Sequence, residues 1–134
     1  MGIASYEGNY HLELNSHGKN NTEAWSISQK FNTIAGQSYD LFFAYGARLS
    51  NSNNNSVESF RVNVDGLEHS LIVHVVGDWR THTDRFVADG DTATLTFTSV
   101  SQHKWTYGNF IDDVRISAVP EPGSSILLAI GLLI

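Results

Sequence analysis

The sequence predicts an all-β protein, a sandwich or jelly roll of about eight antiparallel strands followed by an apolar C-terminal tail. Three observations carry this. Apolar and polar residues alternate over short runs, clusters of Gly, Asn and Asp interrupt those runs at regular intervals, and no segment sustains a 3.6-residue period.

The first run places Tyr10, Leu12 and Leu14 on one face and His11, Glu13 and Asn15 on the other, which makes a half-buried strand. Asn15 to Thr22, rich in Gly and Asn, is a loop. In the next strand Trp25, Ile27, Gln29 and Phe31 share the inner face. Ala35-Gly36-Gln37 turns the chain into Tyr39 to Ala47, apolar on both sides in its middle and so a central strand covered on both faces. Ser50 to Ser56 is polar and of low complexity; it can bury no apolar surface and reads as an exposed loop. Phe60, Val62 and Val64 alternate with Arg61 and Asn63 as far as Asp65-Gly66, the strongest hairpin signal in the chain. The return strand runs from Leu67 to Val76, and Gly77-Asp78 turns again. Trp79 to Ala88 is a mixed polar strand with Phe86 as its clearest core residue. After the Asp89-Gly90-Asp91 turn, Thr92, Thr94, Thr96 and Thr98 alternate with Ala93, Leu95 and Phe97 in a strand with one face to solvent. Ser101 to Tyr107 is a loop carrying Trp105, and Gly108 to Ser117 closes the domain as the last strand.

Residues 1–118 make one domain of ordinary size and 119–134 a separate tail. A chain of this length buries roughly two thirds of its unfolded surface, enough for a core without staples. The absence of cysteine excludes disulfides and thiolate metal sites and suits an exported protein with a self-sufficient core. A formal charge of -6 argues against nucleic acid, whose phosphates require a basic surface that releases counterions. Met1 to Glu7 has neither a positive n-region nor an apolar h-region, so no signal peptide is read there.

The tail begins Val119-Pro120-Glu121-Pro122-Gly123, continues through Ser124-Ser125, and becomes apolar from Ile126 to Ile134. The prolines fix their own backbone angles and bias their predecessors to extended conformations, giving a stiff spacer. The apolar run is well short of the roughly 20 residues that span a bilayer as a helix. This stretch resembles the PEP-CTERM sorting signal of Gram-negative bacteria: Val119, Pro120, Glu121 and Pro122 match its box, Ile126 to Ile134 match the start of its hydrophobic helix, and the basic cluster that should follow is missing. The resemblance implies an exported protein that an exosortase sorts to the cell envelope or an extracellular matrix, with transient membrane association through the tail. Such a protein should carry a signal peptide, so the chain reads as truncated at both ends.

Glu7 to Leu14, the centre from Phe31 to Arg48, and Gly108-Asn109-Phe110-Ile111-Asp112-Asp113-Val114 together resemble the galactose-binding-like jelly-roll sandwich of carbohydrate-binding modules. That resemblance implies a further strand or two ahead of the Tyr10 strand. It also implies a structural Ca²⁺ between a first-strand acidic residue, Glu13 or the preceding Glu7, and Asp112 or Asp113 of the last strand. Alternation puts Asp112 on one face with Phe110, Val114 and Ile116, and a buried carboxylate is costly unless it is paired or metal-bound. The alternative is that Asp112 accepts backbone or Arg hydrogen bonds at the sandwich rim.

Sugars present apolar C–H faces that stack on aromatic rings and hydroxyls that need planar polar partners. Trp79, beside Asp78 and Arg80, and Trp105, near His103 and Tyr107, are therefore the ligand candidates, each weighed against a role as a core or rim aromatic. Arg48 is a further candidate contact, with a structural ion pair as the alternative. The histidines show no metal-binding spacing, and no nucleophile elbow, zincin helix or phosphate loop is present. Carboxylates such as Glu13 and Asp112 would need a defined separation across a cleft to act as a glycosidase pair, which one small sandwich seldom provides. The expectation is a noncatalytic surface or matrix protein that binds polysaccharide; the alternative is a structural or adhesive domain with no sugar site.

Overall fold

The computed structural model describes residues 4–14, 25–48, 57–65, 70–100 and 108–120. Among them are eight strands: β1 (Leu12–Leu14), β2 (Ser26–Asn32), β3 (Ser38–Ala47), β4 (Val57–Val64), β5 (Ser70–Val75), β6 (Gly77–Val87), β7 (Thr92–Ser99) and β8 (Asn109–Ala118). They form two four-stranded antiparallel sheets, a front sheet ordered β1-β8-β3-β6 and a back sheet ordered β2-β7-β4-β5. Most sequential strands change sheets, so the chain wraps as a jelly roll.

The core lies where the alternation places it. Leu41 and Phe43 from β3 meet Phe60, Val62 and Val64 from β4 and Leu95 and Phe97 from β7, all buried. Phe43 packs edge-on against Phe97 at 5.1 Å between centroids and against Phe60 at 6.0 Å. Each such ring withdrawn from water contributes roughly 1.5–3 kcal/mol. On the opposite side of β7 the threonines bond hydroxyl to hydroxyl with β2, Ser26 to Thr98 and Ser28 to Thr96, both at 2.9 Å.

The structure departs from simple alternation in three places. Tyr10 precedes β1 and is 88% exposed, so the first strand is shorter than its apolar pattern. Gly77-Asp78 is not a turn: β6 begins there, and Gly77 at φ 123° carries the chain from the back sheet to the front, a conformation that residues with a Cβ rarely adopt. The third departure is a bulge in β8. Phe42 pairs with Arg115 and Ala44 with Asp112, so β8 spends one residue more than β3 between these pairs, and Asp113 takes φ 48°. The bulge inverts the side-chain phase. Ile116, opposite Leu41, points into the core, whereas Phe110 and Asp112, opposite Gly46 and Ala44, point to the outer face of the front sheet. The expectation that Asp112 shares the face of Val114 and Ile116 is thereby corrected.

One side of the sandwich is less covered than the other. Ile27, Gln29 and Phe31 of β2 lie opposite Phe97, Leu95 and Ala93 and so face inward, yet among the described residues the front sheet offers only three-residue β1 beside β8 at that edge. An open cleft of about 300 Å³ results, lined by Gln29, Phe31, Asn32, Tyr39, Leu95, Val114 and Ile116. At the bottom of β8 the Val119 N–H donates to the Ser38 carbonyl at 2.9 Å, and Gln37 Nε2 donates to the Val119 carbonyl at 2.7 Å. The chain is therefore still pinned to β3 at the first residue of the Val-Pro-Glu-Pro box.

Candidate functional site

Across the outer face of the front sheet, strand register brings one residue from each strand into a row. Glu13 of β1 opposes Phe110 of β8, which opposes Gly46 of β3, and Trp79 of β6 lies against Gly46. A second bulge sets the last position: Tyr45 pairs with Arg80 and Ala47 with Gly77, so β6 has an extra residue there. Gly46 leaves the space the indole uses, because a Cβ built on it would lie 3.4 Å from Trp79 Cε3.

The segment before β1 folds over this row. His11 packs on Phe110 at 4.5 Å and meets Trp79 edge-on at 5.5 Å; Tyr6 tilts against Trp79 at 6.1 Å. Trp79 Nε1 donates to the Ala4 carbonyl at 2.8 Å, and Ser5 Oγ shares a hydrogen bond with His11 Nδ1 at 2.9 Å. Phe110 consequently has 1% of its surface exposed although it points away from the core. Trp79 stays half-buried, with part of its ring accessible. At the other end of the row Arg48 Nη2 lies 3.4 Å from Glu13 Oε2, the ion pair anticipated for Arg48.

Below the aromatic row the acidic residues gather. Asp112 Oδ2 accepts the Glu7 N–H at 3.0 Å and its Oδ1 accepts the Asp113 N–H at 2.7 Å. Asp113 pairs with Arg115 at 3.1 Å, and the Arg115 guanidinium lies 4.2 Å above the Phe42 ring. Tyr6, Glu7, Asp113 and Arg115 line a shallow surface depression. A hydrogen bond shared with the Asp113 carboxyl, and then the negative charge of that group, raise the Glu7 carboxyl above its ordinary range. Glu13 does not join this group, being committed to Arg48 in the row above. Among the described residues no three acidic or histidine side chains converge as a ready-made metal shell. Trp105, Tyr107, Glu121 and Pro122 lie outside the described residues; no helix among the described residues is long and apolar enough to cross a membrane.

A polar cluster inside the sandwich escaped sequence reasoning. Asn109 and His74 are both buried; His74 Nε2 bonds Asn109 Oδ1 at 2.8 Å, while Asn109 Nδ2 donates to the Ser59 carbonyl at 3.0 Å. The amide donation orients Asn109, so His74 carries its proton on Nε2. Glu58, opposite His74 across the strand pair, and Tyr45, 5.0 Å ring to ring, complete the surroundings. Burial lowers the His74 pKa and keeps the ring neutral. Alternation gave no signal for this cluster, since reading Phe110 and Asp112 as inward set Asn109 on the other side of β8.

No curated protein matches the chain by sequence. Solved structures match it in fold. A CBM4 structure aligns at TM-score 0.55 and 15% identity over 70% of this chain and 61% of its own, so the present chain spans less than two thirds of that relative. The C-terminal domain of EclA, described as a sugar-binding protein, aligns at 0.55 and 15% identity over 76% and 82% of the two chains. TmCBM61, solved in complex with β-1,4-galactotriose, aligns at 0.55 and 16% over 85% and 74%. At these identities the likeness is one of fold. A family model matches residues 1–117, nearly the whole chain, and the protein therefore belongs to the family of proteins of unknown function designated DUF642.

Proposed function

We propose that this domain is a noncatalytic carbohydrate-binding module of an exported protein, and that it takes polysaccharide on the outer face of its front sheet. The observation that carries this reading is the row running from the Glu13–Arg48 pair through Phe110 to the partly open Trp79, with Tyr6 and His11 beside it. A flat indole supplies the platform for a sugar C–H face, and the neighbouring guanidinium, carboxylate and imidazole supply planar hydrogen-bonding groups. The likeness to a sugar-binding EclA domain and to a galactotriose-bound module supports the same direction. Trp105 and Tyr107, outside the described residues, remain proposed ligand contacts on their residue types alone. Calorimetric titration of the protein against β-1,4-galactan, xylan and bacterial exopolysaccharides tests it. Saturable heat that disappears in Trp79→Ala and weakens in Arg48→Ala supports it, whereas flat isotherms across the panel remove it.

A structural or adhesive role with no sugar site is the second reading, and the contacts of Trp79 favour it. The polar end of Trp79 is already satisfied by the Ala4 carbonyl, and its faces are flanked by Tyr6 and His11.

Calcium belongs to the proposal at one place, the Glu7 and Asp113 carboxylates beside Asp112, where a hard cation would relieve like-charge repulsion. Melting in calcium and then in EDTA tests this, since a ligand of the native state raises stability by about 2.7 kcal/mol at a hundredfold excess over its dissociation constant. An unmoved midpoint removes the metal. The tail, from Val119 through Pro122 and the apolar residues to Ile134, is proposed as a sorting signal read by an exosortase, which would put the protein in the envelope or matrix of a Gram-negative bacterium. Its support is the sequence box. Processing of a reporter carrying 119–134 in an exosortase-bearing host, and not in an exosortase-deleted one, is the expected outcome; equal processing in both overturns it.

A further inference from the structure

Edge strands of soluble sandwiches usually carry charge, because an open row of N–H and C=O groups recruits other strands. β6, one edge of the front sheet, obeys this, with Asp78, Arg80, Asp84 and Arg85 along it. β5, the edge of the back sheet opposite β2, does not. Its sequence is Ser70-Leu71-Ile72-Val73-His74-Val75, and its one titratable side chain, His74, is turned inward and buried. Leu71, Val73 and Val75 point outward and are 52%, 60% and 40% exposed, and Val57 of β4, opposite Val75, adds a fourth aliphatic residue at 50%. Among the described residues no strand pairs with the outer edge of β5.

We propose that β5 is a self-association strand: two copies of this chain pair β5 to β5, antiparallel, about a two-fold axis at Val73. The stripe is its own complement. With the axis at Val73, that residue faces its symmetry mate and Leu71 of each copy faces Val75 of the other, so every outward cross-strand pair is aliphatic and no like charges meet. A sugar surface would instead present aromatic rings and planar polar groups, which this stripe lacks. A paired six-residue strand with four aliphatic side chains stays below the roughly 800 Å² per partner of a standard interface, so the dimer is a weak and reversible one. It joins two back sheets into one continuous sheet and leaves both front-sheet faces open. The inference stands independently of what those faces bind.

The absence of native cysteine makes a direct test available. Directly opposed residues of an antiparallel pair have Cα atoms about 4.5–5.5 Å apart, within disulfide range. Val73→Cys in the full chain should therefore oxidise to a covalent dimer many times faster than Val75→Cys, whose two copies would lie roughly 14 Å apart at four residues' separation, or than Val87→Cys at the exposed end of β6. Sedimentation velocity over a wide concentration range should show a reversible monomer–dimer equilibrium that Val73→Lys shifts at least tenfold toward monomer, while Val87→Lys leaves it unchanged. A protein monomeric at every concentration, association indifferent to Val73→Lys, or equal cross-linking at the three cysteine positions overturns the inference. Circular dichroism melts of the lysine variants establish that they fold, as expected for exposed positions.

Discussion

Replacing Asn109 by Leu tests the buried cluster that joins the two sheets. Asn109 receives the His74 Nε2–H at 2.8 Å and donates to the Ser59 carbonyl at 3.0 Å. The Ser59 carbonyl keeps a second donor, the Val100 N–H at 3.1 Å, so the loss falls on His74. A buried donor left without an acceptor costs about 1–3 kcal/mol. For a domain of this size that lowers the melting midpoint by about 3–12 °C. Urea denaturation at pH 7.5 should show the same loss as a reduced midpoint with an unchanged slope. The double variant His74→Leu with Asn109→Leu should recover part of it, because removing both partners of a buried hydrogen bond approaches neutrality. A single variant within about 0.5 kcal/mol of wild type, or a double variant as damaged as the sum of the singles, would refute the cluster as a stabilising unit.

The same histidine gives the fold a pH dependence. Its folded pKa lies below the unfolded value of 6.5, so its contribution is complete above pH 6.5 and declines as pH falls from there toward the folded pKa; melts between pH 8 and 5 should show that slope, and His74→Gln should flatten it. Phe43→Ala removes a fully buried ring between Phe60 and Phe97 and should cost about 3–5 kcal/mol in urea titration. Arg85→Ala removes a bidentate pair with Asp40, at 2.8 and 3.3 Å, that lowers the Asp40 pKa and raises that of Arg85; both groups face solvent, and the midpoint should not move measurably at 0.15 M salt. Trp79→Ala should release the segment before β1, read as faster amide exchange at Tyr6 through His11 with little change in the β7 core.

Strict alternation made Phe60 to Val64 of β4 and Ala93 to Thr98 of β7 legible residue by residue, whereas Glu58, inward and buried, and Val57, outward and exposed, break the pattern at the start of β4. The path of β8 was not legible. A left-handed backbone at Asp113 has no glycine to announce it, and one extra residue is enough to exchange the faces of everything before it. For the same reason Phe110 was expected in the core and instead sits under His11 on the outside. The role of Gly46 depends on register across three strands, which local pattern does not encode. For Arg48 the ion pair weighed beside ligand contact is present, but its partner Glu13 comes from a strand 35 residues earlier that local pattern does not name. His74 and Asn109 are separated by 34 intervening positions and meet only through the sandwich, so their partnership has no local signature.

The shallow cover over β2 carries a consequence for how the molecule opens. Among the described residues β2 pairs with β7 alone, and its inward residues Ile27 and Gln29 are exposed, whereas β3, β4, β7 and β8 share a buried core. The free energy of a local opening grows with the apolar surface it exposes, so the hierarchy of exchange should run from β2 inward, with β3 and β7 at the global limit. The molecule then behaves as a rigid half hinged to a breathing strand, and a destabilising change in the core will first be felt as detachment of Ser26 to Asn32 rather than as collapse of the whole sandwich.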